Sequence, residues 1–358
     1  MSSTDELTFE ERLDLVSKIL AQRTSSEEEL ELLALLRPLA GEDLARILEA
    51  VEPARLLQAL DDRFWGPKSR KEFLRILPAS LPFLNLQTKG DIVKCLAVGK
   101  TDLTSEIALK EIFLSESGDK LTELKIDIDC ASNGHDLLYL LHYDIDSVDI
   151  RYDIIRHFQV AAPQREKGEP LTLRVVSDID DTIYASLNDP RFKKGTLYPG
   201  ALELLSVLSE LPPVFLTARP ELAASVFERL THRQLAGYGI PRATVLSGSI
   251  PGLLGHRRMA EQKARTLLSF QELYPECRFL FIGDSGQGDM ALSESLLDHK
   301  TVVIERAFIH KLAEGQPGSK SERDKIHLFS DYGELASLMR DLGYLREEQA
   351  AKVHASFF

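Results

Sequence analysis

The hydrophobic and polar positions along the chain follow two different patterns, one in each half. Over residues 1–162, apolar positions recur three and four residues apart, as at Leu44, Ile47 and Leu48. This spacing places apolar side chains on one face of a helix, and it repeats in many short segments. The pattern therefore predicts an all-helical domain over residues 1–162.

Polar residues mark where two of these helices begin. Thr8–Glu11 and Ser26–Glu29 each place a hydroxyl three residues before a glutamate, which is the arrangement of a capping box. The successive helices share no fixed repeat length, which argues against a solenoid. No catalytic pattern stands out in this domain, so its role is open. We expect it to be an interaction module that binds a protein partner.

A polar stretch rich in proline and glycine, residues 161–170, separates this domain from a different pattern. After it, short β-branched and aromatic runs alternate with longer segments of helical period. Such alternation predicts an α/β domain with a parallel sheet covered by helices, which we place over residues 171–345. The strand-like runs are 171–177, 214–217, 243–247, 278–283 and 301–305, and the helical stretches lie near 199–211, 220–235, 258–274, 289–297 and 333–343.

Composition and charge exclude several classes of protein. The chain has 358 residues and a formal net charge of −13, which disfavours nonspecific binding to nucleic acid. Its 3 cysteines are far apart and form no CxxC, as expected of reduced thiols in a cytoplasmic protein. The acidic N-terminal stretch has no signal-like apolar core, and no apolar run is long enough to span a membrane. We expect a cytoplasmic protein, with peripheral membrane contact left open.

Polar side chains follow the ends of three predicted strands, and one lysine opens the helix before the fourth. The carboxyl ends of parallel strands meet at one edge, where open α/β sheets bind their ligands. We therefore expect these side chains to converge on one site. They are Asp178, Asp180, Thr217, Lys263, Asp284 and Asp289.

The two aspartates after the first strand suit the transfer of a phosphoryl group. A carboxylate can attack phosphorus and form an aspartyl-phosphate, which is the role we expect for Asp178. The leaving alkoxide then needs a proton, and water must later lose one. Asp180, one residue further on, is placed to act as this acid and base.

The remaining candidates suit metal and phosphate binding. Mg²⁺ prefers hard oxygen ligands, which Asp284, Asp178 and the carbonyl of Asp180 would supply. Asp289 would hold a water or orient a ligand. Thr217 and Lys263 would grip the phosphoryl oxygens and offset their charge. The lysine would also lower the pKa of the acids around it.

This set of motifs, in this order along the chain, resembles the haloacid dehalogenase (HAD) superfamily of phosphatases. The stretches Ser177–Ile183, Phe215–Pro220 and Phe281–Asp289 narrow the resemblance. They are similar to the catalytic domain of the actin-patch type of phosphatidate phosphatase, a relative of the lipin group. The resemblance covers about residues 171–310 and leaves the helical half aside.

The resemblance implies a fold, an activity and a cofactor. The fold would be a Rossmann-like, doubly wound parallel sheet with small cap inserts, preceded here by the all-α domain. The activity would be Mg²⁺-dependent removal of phosphate from phosphatidic acid or a related lipid phosphate. The six motif residues are all present and would keep the roles given above.

The substrate is less determined than the chemistry. Small inserts leave an open site, suited to a bulky substrate or one presented on a surface. Basic residues in or near these inserts could meet an anionic headgroup. They are Lys193, Lys194, Arg219, Arg257 and Arg258.

Two alternatives remain open. A phosphatase on a soluble phosphomonoester or a phosphoprotein is favoured by the net charge of −13 and by the lack of a clear amphipathic membrane helix. The other alternative is an interaction or scaffold protein that works through its helical domain.

Overall fold

The computed structural model of the protein has two compact units. The helical unit comprises residues 1–128 and 137–163, and the sheet unit comprises residues 129–136 and 164–358. The structure describes residues 7–39, 41–60, 68–98, 101–131, 136–163, 170–186, 188–217, 224–247, 256–286, 288–300, 304–312 and 324–357.

Short helices build the N-terminal part of the chain, and their apolar faces form its core. On α3, for example, Leu44, Ile47 and Leu48 are all buried. The helices are α1 Phe9–Leu20, α2 Ser26–Leu36, α3 Glu42–Ala50, α4 Pro53–Ala59, α5 Ser69–Ile76, α6 Leu86–Leu96, α7 Leu103–Leu114, α8 Gly118–Asp129, α9 Leu137–Tyr139 and α10 Val148–Ala161. A 3₁₀ turn covers Leu77–Ser80, and a π-helical turn covers Leu140–Asp144.

The first two helices begin with capping boxes. Thr8 caps α1 with Glu11, as predicted. The second cap is Ser25 with Glu28, one residue earlier than the predicted Ser26–Glu29. Both serines stand three residues before a glutamate, so the sequence pattern fits either register.

The sheet unit contains a parallel sheet of six strands in the order β3-β2-β1-β4-β5-β6. The chain runs outward from β1 to β3, then returns to lay β4 beside β1. The strands are β1 Thr172–Ser177, β2 Val214–Thr217, β3 Thr244–Ser247, β4 Cys277–Asp284, β5 Ile304–His310 and β6 Ile326–Phe329. The α/β class with a helical N-terminal region is thereby confirmed.

Within the described ranges, six helices accompany these strands. Apolar residues from four of these helices form one core cluster with some of the buried strand residues, among them Phe215, Ile282 and Phe308. The helices are α11 Ala201–Leu208, α12 Ala224–Gly237, α13 His256–Leu273, α14 Asp289–Leu297, α15 Tyr332–Asp341 and α16 Glu347–Ala355.

The last elements of the chain differ from their prediction. β5 ends five residues later than the predicted 301–305, because Glu305 and Arg306 continue the strand as half-buried residues. The edge strand β6 has only four residues, too few for a sequence pattern. The helix α16 was not predicted, because it buries only two small apolar positions, Ala350 and Val353.

The helix α16 nevertheless packs closely on the sheet unit. Gln349 of this helix donates a hydrogen bond of 2.7 Å to the carbonyl of Val207 in α11. Gly200, just before α11, has a φ of 83°, which favours glycine. A Cβ there would come within 2.9 Å of Phe357 and 3.0 Å of Val353.

Candidate active site

Three of the predicted site residues lie at the same edge of the sheet because of strand register. Asp178 follows Ser177, the last residue of β1. Ser177 is paired with Phe215 on β2 and with Ile282 on β4. Thr217 and Asp284 each lie two residues after these partners. The strand order reverses between β1 and β4, and ligands of open α/β sheets bind in the crevice at such a point.

Lys263 joins two of the acids. Its Nζ lies 2.6 Å from Asp178 Oδ1 and 2.9 Å from Asp289 Oδ1. The three side chains are at most 8% exposed, so both ion pairs are shielded from water. Lys263 does not open its helix, as the sequence suggested, because α13 begins seven residues earlier, at His256. Two turns of helix therefore precede the lysine.

Asp284 has one engaged oxygen and one without a partner. Its Oδ1 accepts a hydrogen bond of 2.5 Å from the amide of Gly286. Its Oδ2 is buried and has no hydrogen-bond partner within the described part of the chain. Asp284 also donates its own amide to Asp289 Oδ2 at 3.3 Å. Gly283 allows this approach, because a Cβ there would lie 2.5 Å from Asp289 Oδ2.

The donor set fits a hard divalent cation. Asp178, Asp284 and Asp289 each offer a carboxylate oxygen, and these oxygens lie within 4.8 Å of one another. Mg²⁺ takes carboxylate oxygens and keeps several waters, so a few such ligands suffice. The unpartnered Oδ2 of Asp284 is the kind of buried acceptor that a cation would satisfy.

The pKa values of Asp178 and Asp284 are raised even though the positive charge of Lys263 lies beside the cluster. Burial, followed by the neighbouring carboxylates, raises the pKa of Asp284 to about 9. Burial also raises the pKa of Asp178 to about 7, although Lys263 opposes this shift. For Lys263 itself, burial favours the neutral form, but Asp178 and Asp289 outweigh it and raise the pKa. A second cation would stabilise the ionised forms of Asp178 and Asp284.

Asp180 stands apart from the cluster formed by Asp178, Asp284 and Asp289. Its carboxylate is not among the oxygens grouped within 4.8 Å, and its side chain is half-buried. Its Oδ1 accepts a hydrogen bond of 2.9 Å from the hydroxyl of Tyr184. The nucleophile candidate and the acid candidate therefore have different surroundings, although one residue separates them.

Asp181 shapes the loop after β1. It has a φ of 58°, a left-handed conformation that is uncommon outside glycine. Its Oδ1 accepts the amide of Ser186 at 2.7 Å, and its Oδ2 accepts the amide of Asn188 at 2.8 Å. These bonds hold Ser186 and Asn188 against the loop after β1, and they offset the backbone strain at Asp181.

His310 and Tyr332 fix the same loop from the other side. The Nδ1 of His310, the last residue of β5, lies 3.2 Å from the carbonyl oxygen of Asp181. The hydroxyl of Tyr332 donates a hydrogen bond of 2.6 Å to the carbonyl of Thr182. The imidazole is also 3.3 Å from Arg191 Nη2. The backbone that carries Asp178 and Asp180 is thus held by buried side chains.

We expect His310 to make the folded protein less stable in mild acid. Burial, followed by Arg191, lowers the pKa of His310 below its usual 6.5. The unfolded chain then binds more protons than the folded one, so this contribution to stability is lost as pH falls below about 6.5. Between about pH 7.5 and 5.5, the unfolding free energy of His310→Gln should therefore change in a more favourable direction than that of the wild type. Asp178 and Asp284, whose pKa values are raised, act in the opposite sense to His310 in both proteins.

Urea unfolding at both pH values measures this difference directly. Half-buried His327 also has a pKa lowered by burial, so part of the pH dependence should persist in His310→Gln. An unchanged pH dependence in that variant would show that the imidazole contributes nothing in mild acid.

The structure describes only some of the predicted substrate-binding residues. Lys193 and Lys194 are exposed, in the loop between β1 and α11. Arg219 lies outside the described residues. Arg257 and Arg258 belong to the first turn of α13, but their side chains lie outside the described part.

Sequence reasoning missed the side chains that support the site. In the sequence, Tyr184 and Tyr332 have the pattern of core positions, and His310 has no other candidate site residue near it. One signal was available for Tyr184, because it lies four residues after Asp180, a spacing that brings side chains together in one helical turn.

A buried acidic cluster, paired with a lysine at the switch point of a parallel sheet, is the arrangement of an α/β enzyme. Residues 173–311 match the family model of the catalytic domain of phosphatidate phosphatase APP1. The chain is accordingly a phosphoric monoester hydrolase with a phosphatidate phosphatase-like domain. The search of curated proteins and the search of solved structures each returned no match.

The match covers the residues that form the site. It begins in β1 and ends just after β5, and so includes the loop after β1, Lys263, Asp284 and Asp289. The helical unit lies outside it. Among the described residues, none of the helices is long and apolar enough to cross a bilayer.

Proposed function

We propose that this protein is a Mg²⁺-dependent phosphatase of the HAD type that hydrolyses phosphatidate through an aspartyl-phosphate on Asp178. One observation carries the proposal most strongly. Asp178 is buried beside Lys263 at the reversal of the strand order, with Asp284 close by. That placement gives a carboxylate nucleophile, a fixed positive charge and a metal ligand in one crevice.

The first half-reaction transfers the phosphoryl group to the protein. Lys263 holds Asp178 Oδ1, so we assign the attack on phosphorus to Oδ2. The new bond joins this oxygen to phosphorus, and the bond from phosphorus to the diacylglycerol oxygen breaks. Asp180 gives its proton to that leaving oxygen. Lys263 and Thr217 stabilise the charge on the transferring oxygens.

The second half-reaction restores the carboxylate. Asp180, now ionised, takes a proton from a water molecule as the water attacks phosphorus. The bond from phosphorus to Asp178 breaks, which releases inorganic phosphate. Asp180 is then protonated and ready for the next turnover.

The metal would be held by Asp178 and Asp284, with the carbonyl of Asp180 and with Asp289 nearby. When bound, Mg²⁺ would offset the negative charge that gathers on the phosphoryl oxygens. The carboxylates with raised pKa values would then be ionised at neutral pH.

A lipid substrate is supported by the family match and by the exposed Lys193 and Lys194. Two lysines near an anionic surface contribute about 1 kcal/mol each. We expect Lys193→Ala/Lys194→Ala to raise the apparent KM for phosphatidate in mixed micelles about 30-fold. The KM for soluble p-nitrophenyl phosphate should stay unchanged, and so should both values in a Lys352→Ala control, which removes an exposed lysine of α16.

An equal effect on both substrates would show that the pair is not specific for a lipid surface. An unchanged KM for both substrates would show that Lys193 and Lys194 do not belong to the substrate site.

The substrate itself is tested with the full chain and Mg²⁺. Phosphate release from phosphatidate in mixed micelles is compared with release from glycerol 3-phosphate and from a phosphoserine peptide. We expect phosphatidate to give the highest kcat/KM. Faster turnover of either soluble compound would replace the lipid by that class of phosphoester, while the chemistry at Asp178 would stand.

A further inference from the structure

Tyr184 contacts Asp180, the candidate acid and base, but takes no part in the two half-reactions. Its side chain is 7% exposed, and its hydroxyl donates a hydrogen bond of 2.9 Å to Asp180 Oδ1. A buried phenol usually finds a hydrogen-bond partner. Here that partner is the carboxyl group that must exchange protons with the substrate and with water.

The backbone favours this contact. The amide of Ile183 donates to the carbonyl of Ile179 at 2.9 Å, which closes one turn after β1. The amide of Asp181 donates to the carbonyl of Tyr184, also at 2.9 Å. Asp180 and Tyr184 are paired as an isolated β-bridge. The two side chains are therefore brought together by the ordered turn that joins Asp180 to Tyr184.

The ring of Tyr184 is itself held in place. It lies against the ring of Tyr238, with centroids 5.8 Å apart and an interplanar angle of 53°. Tyr184 is also bridged to Leu197 in an antiparallel sense, and the next residue, Ala185, donates its amide to Thr196 at 2.9 Å. The ring contact and the backbone bonds together keep the hydroxyl aimed at one oxygen.

We propose that Tyr184 is a positioning residue that fixes the rotamer of Asp180 and decides which of its oxygens carries the transferable proton. The inference rests on the proposed function, in which Asp180 is the acid and base. A phenol that donates to Oδ1 leaves Oδ1 as an acceptor, so the proton of the acid resides on Oδ2. That proton passes from Oδ2 to the leaving oxygen, and Oδ2 later takes one proton from water.

The test compares two leaving groups in the full-length protein. Phosphatidate releases an alkoxide, which needs a proton as it leaves. p-Nitrophenyl phosphate releases a stable phenolate, which does not. Tyr184→Phe removes only the hydroxyl and keeps the ring against Tyr238. The matched control is Tyr238→Phe, which removes the hydroxyl of the partner ring, an acceptor 3.2 Å from Gln234 Nε2.

We expect Tyr184→Phe to lower kcat for phosphatidate about 10-fold to 100-fold, since a misplaced acid loses most of its contribution. The release of p-nitrophenol in the first turnover should change less than about 3-fold. Tyr238→Phe should leave both rates near wild type. A loss of folded protein lowers both rates equally, so the ratio of the two rates isolates the positioning role.

The Asp180→Asn background supplies the second arm. Once Asp180 cannot give a proton, Tyr184→Phe should cause no further loss with phosphatidate. A wild-type rate in the single variant, or equal loss with both substrates, overturns the inference and leaves the phosphatase mechanism standing. If Asp180→Asn has the full activity of the wild type, the proposed role of Asp180 fails, and the role of Tyr184 fails with it.

Discussion

Asp178→Asn is expected to lower the turnover of phosphatidate about 10⁴-fold or more while the protein stays folded. The amide that replaces the carboxylate has nearly the same size but cannot attack phosphorus. Burial already disfavours the charged form of Asp178, whose pKa is raised to about 7, so neutralising it removes little stability. Lys263 also keeps its second partner, Asp289, at 2.9 Å.

Steady-state release of phosphate and a thermal melt measure the two parts of this result. The control is Asp144→Asn, which neutralises a buried aspartate of the helical unit and should not change kcat. If Asp178→Asn retained more than about a tenth of the wild-type kcat, covalent catalysis by this residue would be untenable.

Lys263→Met is expected to lower both activity and stability. The lysine is buried and pairs with Asp178 and Asp289, so its removal leaves carboxylates without their counter-charge. Breaking a buried ion pair from one side costs about 3–5 kcal/mol in unfolding free energy. Phosphoryl binding suffers as well, because the fixed positive charge near the nucleophile is lost.

Lys89→Met separates the two effects. Lys89 is also buried and ion-paired, with Glu116 in the helical unit, and is far from the site in sequence. Its replacement should lower stability in a urea titration but leave kcat unchanged. A Lys263→Met protein with normal stability and normal kcat would contradict the role of this lysine in both the fold and the reaction.

The sequence predicted where the candidate site residues lie better than it predicted the contacts that support them. Strand ends in an α/β pattern share one sheet edge, so the convergence of Asp178, Thr217 and Asp284 followed from element order alone. Their register, which pairs Ser177 with both neighbouring strands, agrees with that expectation. Acidic residues at the end of apolar strands are visible because they break the hydrophobic pattern.

The supporting contacts could not be predicted for a physical reason. His310 and Tyr332 are distant in sequence from the loop they hold, and their positions depend on strand register and helix packing. The left-handed backbone of Asp181 likewise depends on bonds to Ser186 and Asn188 that form only in the folded loop. Helix α16 was missed because small apolar residues give a weak pattern, although they pack well.

The central claim is that Asp178 carries the phosphoryl group, and trapping it on the Asp180→Asn variant tests this most directly. p-Nitrophenyl phosphate needs no acid for its leaving group, so the first half-reaction should proceed, while the second lacks its base. We predict a burst of one nitrophenol per protein, followed by slow turnover, with phosphate found on Asp178 by mass spectrometry after acid quench. Linear release of nitrophenol at a rate near wild type, with no phosphate on the protein, would contradict the account.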